Sequence, residues 1–223
     1  HMKYFRSLAI AAAFAAISAC STPADPQTAD IQLNGTWAWR LIPASWTELD
    51  GLELTTDGDL GQLGYPATVP CTVMGAIADD EVLVGMNYKD IDRTQFEEPW
   101  WYMTTFELPQ LKDNQRAELA FDGISYRADV WLNGELVVSA EDFYGPFRQF
   151  SFDVTDLLQK ENYLAVKVYR WEKGEFNIGF VDWNPRPADE SMGIFRPVWL
   201  RFSNEVSMKN SVVKSKVNVE TLD

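Results

Sequence analysis

Asp182 and Trp183 are adjacent in the segment NIGFVDWNPRP. This segment interrupts a chain in which apolar and polar residues otherwise alternate, as they do in strands. A carboxylate accepts charge-assisted hydrogen bonds from hydroxyl groups, and an indole ring covers the apolar face of a sugar. The prolines on both sides of Arg186 each fix φ at about −65° and lack a backbone donor, so we expect a stiff loop. A stiff loop holds a carboxylate at low entropic cost on binding. The pattern is typical of a sugar-binding site.

The same residues leave a structural interpretation of this loop open. Asp182 could pair with Arg186 or Arg196, while Trp183 packs into the core. The two interpretations differ in one observable, because sugar binding requires the Asp182 carboxylate to reach a concave surface. A carboxylate locked inside the fold would contradict that role.

A second cluster, EEPWWY at 97–102, brings acidic residues and two tryptophans to the start of a strand-like segment. Adjacent strand residues point to opposite faces of a sheet. Trp100 and Trp101 therefore cannot both enter one core, and we expect one of them to be exposed or covered by another domain. Further along, Arg127 and Asp129 share a strand face and are expected to form a structural ion pair.

Catalytic and metal-binding groups are not evident from spacing. A retaining glycosidase needs two carboxyl groups about 5–5.5 Å apart, and no pair of acids here is clearly aimed at one point, so no catalytic residue is assigned. The only histidine is His1, which excludes a His-based zinc site and a Ser-His-Asp triad. No metal site and no cofactor are predicted.

Composition restricts the partners. The chain has 223 residues, of which 46% are apolar, and a formal net charge of −14. Nucleic acids and anionic lipids require a basic face, so neither is expected as a partner. The acidity favours solubility and does not identify a substrate.

The N-terminus is typical of an export signal. Lys3 and Arg6 precede an apolar run at 8–17, which is too short for a bilayer that takes about 20 residues. The following ISAC resembles a bacterial lipobox, which implies that Cys20 is lipidated; the alternative is an ordinary signal peptide with an incidental cysteine. We therefore expect a signal peptide at 1–20, a flexible tether at 21–30, and an exported lipoprotein in the periplasm, outer membrane or cell surface, held to the membrane only by its lipid.

The remaining chain is dominated by strand patterns. Alternating segments such as WYMTTFELP, FRQFSFDV and YLAVKVYRW are separated by turn signals, and Asn133-Gly134 marks a hairpin. No convincing helix exceeds ten residues. The pattern predicts an all-β jelly-roll sandwich at 31–204, and residues 205–223 are expected to begin a second β-sandwich domain.

Seven segments in order carry a resemblance to a known family: ATVPCTVMGAI, EEPWWYMTTFELP, AFDGISYRADVWLNGELV, FDVTDLL, NYLAVKVY, IGFVDWNPRP and MGIFRPVWLR. Together they resemble the N-terminal sugar-binding domain of glycoside hydrolase family 2, in its exo-β-D-glucosaminidase and β-mannosidase branch. The resemblance covers about 33–202. Cys71 departs from the glycine that is usual in the family, and its role is open.

The resemblance implies a galactose-binding-domain-like jelly roll followed by an immunoglobulin-like domain and a TIM barrel with two catalytic glutamates. In such enzymes the loops of the first domain contact the terminal β-linked sugar of an oligosaccharide or glycan. Asp182 matches the family aspartate that binds sugar hydroxyls, and Trp183 and Asn184 belong to the same loop. Glu98 matches less directly, because the loop differs in length by one residue. A stand-alone carbohydrate-binding lipoprotein remains the alternative.

Overall fold

The computed structural model describes residues 29–34, 39–56, 64–78, 90–108, 111–183, 186–209 and 211–217. The expected signal peptide, Cys20 and most of the tether lie outside the described residues, and so does Asn184. The strands of the described part run from Ile31 to Ser203.

Twelve strands, two short α-helices and two 3-10 turns (Ala44–Trp46 and Thr94–Phe96) make up the regular structure of the described residues. The strands are β1 (Ile31–Gln32), β2 (Trp39–Pro43), β3 (Tyr65–Ala67), β4 (Cys71–Thr72), β5 (Trp100–Glu107), β6 (Arg116–Phe121), β7 (Arg127–Leu132), β8 (Glu135–Val138), β9 (Phe150–Asp153), β10 (Glu161–Tyr169), β11 (Gly193–Ile194) and β12 (Val198–Ser203). The helices are α1 (Gly51–Thr56) and α2 (Val73–Ile77).

The strands form an antiparallel sandwich. One sheet has the order β1-β12-β6-β9 and the other has the order β3-β2-β5-β10-β7-β8, while β11 and β4 form a small third sheet. The two larger sheets share one core, to which the first contributes Leu119 and Leu200 and the second contributes Tyr102 and Val166, all fully buried. The structure confirms the predicted all-β jelly-roll fold.

The hairpin between β7 and β8 turns at Asn133 and Gly134, as predicted. Their φ angles are 51° and 88°, and both are positive, as the tightest hairpin turn requires. The Asn133 side chain also ties the turn to the rest of the sheet, because its Oδ1 accepts from Tyr163 N at 2.8 Å and its Nδ2 donates to Leu157 O at 2.8 Å.

Trp100 and Trp101 point to opposite faces of the six-stranded sheet, but both are buried, with 1% and 2% of their surface exposed. Trp100 lies in the main core, whereas Trp101 packs with Leu54 and Met103 in a second cluster on the outer face. The expectation that one of them is exposed or covered by another domain is therefore wrong, because α1 of the same domain covers the outer face.

Helix α1 begins after a capping box, a pair of side chains that cap the first turn of a helix. Asp50 Oδ1 accepts from Glu53 N, and Glu53 Oε2 accepts from Asp50 N, each at 3.0 Å. This reciprocal pair satisfies two backbone donors at the beginning of the helix. A six-residue helix is marginal alone, and its stability here comes from packing Leu54 against the sheet.

The expected pairing of Arg127 with Asp129 is also wrong. Arg127 forms ion pairs with Glu172, at 3.4 Å, and with Glu175. Asp129 accepts instead from Tyr169 Oη at 2.6 Å and from Ala140 N at 2.7 Å. Residues on one strand face can pair, but neighbouring strands and loops offer each of these two a closer partner.

Beyond β12, the described residues to 217 have no regular secondary structure, and they expose apolar side chains such as Val206 and Val213. The expected second domain beginning at 205 stays a prediction. None of the helices described is long and apolar enough to cross a bilayer.

Gly51 provides a test of the α1 contact. A Cβ atom at this position would lie 2.1 Å from Cδ1 of the Trp131 indole, so Gly51→Ala should overpack the interface and lower the free energy of unfolding by about 1–3 kcal/mol in urea titrations. Gly179→Ala is the control, because a Cβ there meets no atom within 4 Å. Equal stability of the two variants would contradict the packing described.

Candidate sugar-binding site

Asp182 lies on the long loop that joins β10 to β11. Its side chain is exposed and forms no hydrogen bond or ion pair with any described residue. Trp183 is 81% exposed. Neither Arg186 nor Arg196 pairs with the carboxylate, so the structure does not show the alternative in which Asp182 is a buried structural group. The Asp182 carboxylate is therefore accessible to a sugar, and its sugar-binding role stays a prediction.

A shallow cavity of about 430 Å³ includes Asp182 in its wall. Trp171, Phe180 and Arg186 also line it, so a carboxylate, a guanidinium and two aromatic rings meet in one depression. Hydroxyl groups can be bound by the charged groups and C–H faces by the rings. This arrangement has the chemistry that a monosaccharide requires.

Arg186 braces the loop from its downstream side. Its guanidinium lies over the rings of Trp171, at 5.4 Å, and Phe180, at 5.7 Å, and its Nε donates to Glu190 Oε2 at 2.7 Å. Arg93 in turn donates to the backbone oxygen of Arg186 at 2.9 Å. These contacts add to the restraint that proline imposes on this segment.

Asp189 joins the end of the same loop to the sandwich. The residue is fully buried, and its carboxylate accepts from Met74 N at 2.8 Å and from Ser191 N at 2.9 Å. Burial raises the pKa of this carboxyl, and hydrogen bonds from Met74 N, the Thr72 side chain and Ser191 N offset part of the increase. One acid therefore fixes both the first turn of α2 and the turn that leads into β11.

The structure does not bring Glu98 into the cavity of Asp182. The Glu98 carboxylate accepts from Ser45 N at 2.8 Å and from Ser45 Oγ at 2.9 Å, in the 3-10 turn after β2. Its neighbour Glu97 lines an adjoining cavity of about 410 Å³. The sugar-binding role of Glu98 stays a prediction.

Trp171 separates the two cavities and was not marked by any sequence pattern. It lines both of them, together with Arg186. Its Nε1–H is buried and has no hydrogen-bond partner among the described residues. An unpartnered buried donor is uncommon in native proteins, and here it lies beside the loop that carries Asp182.

Cys71 lies in β4, which pairs with β11 at the end of this loop. The thiol is unpaired, and burial raises its pKa to about 11, although a hydrogen bond with Tyr102 acts in the opposite direction. The side chain therefore stays a neutral thiol at physiological pH. It is positioned as a packing residue of the small sheet.

An antiparallel β-sandwich with a braced loop at one end is typical of galactose-binding-like domains. The sequence profile of the family described as "Glycosyl hydrolase 2 galactose-binding domain-like" matches residues 51–175, more than half of the chain. The chain belongs to this family, which confirms the resemblance seen in the sequence.

Similar proteins include enzymes of the expected branch. The chain is 32% identical over 178 residues to an exo-β-D-glucosaminidase of Hypocrea jecorina, and 32% identical over 144 residues to a mannosylglycoprotein endo-β-mannosidase of Lilium longiflorum. These matches cover 76% and 59% of the chain, but only 20% and 15% of the relatives.

A solved structure extends the similarity to the fold. The exo-chitosanase CsxA of Amycolatopsis orientalis superimposes with a TM-score of 0.75 at 25% identity, covering 87% of this chain and 23% of CsxA. The chain thus spans about a fifth of the length of the proteins that it matches.

Replacing Asp189 tests whether it fixes the loop. Asp189→Ala leaves the N–H groups of Met74 and Ser191 without their acceptor, and it should lower the free energy of unfolding by about 3 kcal/mol. Limited chymotrypsin digestion should also cut sooner after Trp183, which the loop exposes. Asp142→Ala removes an exposed acid and serves as the control. Unchanged stability and digestion in Asp189→Ala would show that the loop is fixed elsewhere.

The raised pKa of Cys71 predicts that its thiol reacts slowly with alkylating reagents. At pH 8 its thiolate fraction is about 10²-fold below that of an ordinary cysteine of pKa ~8.5. Alkylation by iodoacetamide should therefore be at least about tenfold slower in the native protein than in urea. The measurement uses a Cys20→Ser background, so that Cys71 is the only thiol. Equal native and denatured rates would contradict the assigned burial.

Proposed function

We propose that this chain is the N-terminal sugar-binding domain of an exported, exo-acting retaining β-glycosidase of the exo-β-glucosaminidase or β-mannosidase type. The domain orients the terminal sugar of an oligosaccharide for hydrolysis by a TIM barrel outside this chain. The single observation that carries the proposal is the exposed carboxylate of Asp182, which pairs with none of the described residues, on a braced end loop of a family 2 sandwich.

In this proposal, Asp182 accepts hydrogen bonds from sugar hydroxyls, and Trp183 and Asn184 shape the wall around the ring. Charge-assisted hydrogen bonds are about twice as strong as neutral ones. They accelerate the reaction if they tighten as the sugar ring distorts towards the transition state. The domain contributes orientation, while the two carboxyl groups that break the bond belong to the barrel.

The bracing of the loop supports this role. A carboxylate that moves freely loses conformational entropy when it binds, whereas one held by Arg186, Asp189 and two prolines loses less. The exposed indole of Trp183 is costly in water and is covered when a sugar or the neighbouring domain arrives. Glu98, whose carboxylate contacts Ser45 in the free domain, is proposed to exchange that contact for a sugar hydroxyl.

Export and lipidation at Cys20 are part of the same proposal. They are supported by the basic, apolar and small-residue order of positions 3–20. The partners expected for the domain are a glycan with a terminal β-linked sugar and the downstream immunoglobulin-like and barrel domains of the same protein.

Asp182→Ala in the longest natural chain that contains this sequence tests the proposal. Hydrolysis of an aryl β-D-glucosaminide or an aryl β-D-mannoside, whichever the wild type cleaves, should fall about 10²-fold in kcat/KM, because a charge-assisted contact of ~3 kcal/mol is lost. Asp142→Ala, which removes an exposed acid away from this loop, should leave the rate unchanged. The proposal fails if Asp182→Ala folds normally and retains full activity.

A further inference from the structure

We propose that a second glycan-binding site, separate from the Asp182 loop, lies where β7 begins and β10 ends, and that it takes a cationic oligomer of β-linked amino sugar. The ligand class rests on the proposed function. The site is a cavity of about 640 Å³ that shares no lining residue with the cavity of Asp182. Its wall includes Tyr126, Tyr144, Tyr169, Glu141, Glu172 and Glu175.

The hydroxyl of Tyr126 indicates that the cavity is a built site. The residue is only 6% exposed, and its phenol has no hydrogen-bond partner among the described residues. The hydroxyl retains some access to solvent, since it is not among the sealed polar atoms of the described residues, and the Tyr126 side chain lines the cavity. Buried phenols normally have a partner, and a sugar hydroxyl would supply one.

The backbone holds Tyr126 in place. Its N–H donates to Tyr169 O at 3.0 Å, and its carbonyl accepts from Gly145 N at 2.9 Å. The Arg127 guanidinium lies over its ring at 5.4 Å. The hydroxyl is thus presented from a fixed position, which lowers the cost of ordering it on binding.

Aromatic rings line the cavity, and two more lie on the loops beside it. The Tyr126 and Tyr144 rings are 6.4 Å apart, and Tyr144 is 42% exposed. On the loops that carry Tyr144 and Glu175, Phe147 and Phe176 contact each other at 5.7 Å, although they are 64% and 78% exposed. Clustered aromatics in water mark interaction surfaces, and their faces match the C–H faces of pyranose rings.

The charges select among glycans. Three carboxylates line the cavity against the guanidinium of Arg127, which pairs with Glu172 and Glu175. A second guanidinium, that of Arg148, lies beside the cavity over the Tyr144 ring at 5.3 Å. Glu141 has no partner among the described residues. The excess of negative charge complements a protonated amine and disfavours an anionic sugar. An N-acetylated or neutral glycan would leave Glu141 without a cationic partner.

The position of the cavity suggests its use. A third cavity lies between the two sites. It shares the lining residues Arg127 and Tyr169 with the proposed second site, and it shares Trp171 and Arg186 with the cavity of Asp182. All three therefore lie along one edge of the sandwich. An oligomer held at the second site raises the local concentration of chain ends near Asp182, so the site affects polymers and not small aryl glycosides.

Calorimetric titration of the 223-residue chain with a β-1,4-linked glucosamine hexamer tests the inference. Glu141→Gln and Tyr144→Ala should each weaken binding about tenfold, because one loses a charge-assisted contact and the other a ring face. Tyr126→Phe, which removes only the hydroxyl and preserves the fold, should weaken it about fivefold. The matched controls are Glu135→Gln and Tyr163→Phe, which lie outside the cavity. The N-acetylated hexamer should bind about tenfold more weakly than the amine form.

The outcome separates this site from the proposed function. In the longest natural chain, the three cavity variants should raise KM for the hexamer and leave aryl glycoside hydrolysis unchanged. Asp182→Ala should instead lower aryl glycoside hydrolysis and leave binding of the hexamer at the cavity unchanged. The inference is overturned if the wild-type chain does not bind the hexamer, if the cavity variants bind as the controls do, or if the longer chain loses binding because another domain covers the cavity. If aryl hydrolysis is absent but the cavity variants weaken binding, the proposed function fails and this site stands.

Discussion

The hydrogen bonds accepted by the buried carboxylate of Asp189 fix the loop on which the candidate site depends. Met74 N and Ser191 N converge on this acid from α2 and from the turn before β11. Burying a carboxylate is unfavourable unless hydrogen bonds replace its water, so the arrangement forms only when both segments are in place. It therefore acts as a joint that defines where the loop ends, and Asp182 can project into solvent from a restrained backbone.

The sandwich determines where such a loop can act. The inner faces of both large sheets are filled by one core, and α1 covers part of the outer face of the six-stranded sheet through Trp101 and Leu54. The edge where β10 ends and β7 begins is left with cavities, exposed rings and unpaired acids. Loops at the end of a rigid scaffold commonly carry function for this reason, and here the candidate sugar contacts and the amino-sugar cavity lie along the same edge.

Local signals in the sequence were sufficient for the strands, for the Asn133-Gly134 turn and for the sandwich, because alternation and turn chemistry depend on neighbouring residues. Contacts between segments that are distant in the chain could not be predicted from such local signals. The burial of Trp101 depends on a short helix whose Asp50–Glu53 start signal is local, but whose docking is not. Arg127 has partners 45 and 48 positions away in the chain, at Glu172 and Glu175, and spacing within one strand could not reveal them.

The candidate site also combines features that are evident in the sequence with features that depend on contacts between distant segments. The proline-bearing loop that carries Asp182 and Trp183 is evident in the sequence, but only the structure separates exposure of these residues from burial. The contact of Glu98 with Ser45, the unpartnered indole of Trp171 and the role of Asp189 depend on chain crossings that no motif encodes. Burial of Cys71 is of this second kind, and it bears on the reactivity of the domain. Because burial keeps the Cys71 thiol protonated, electrophiles and oxidants meet a chemically quiet sulfur beside the loop.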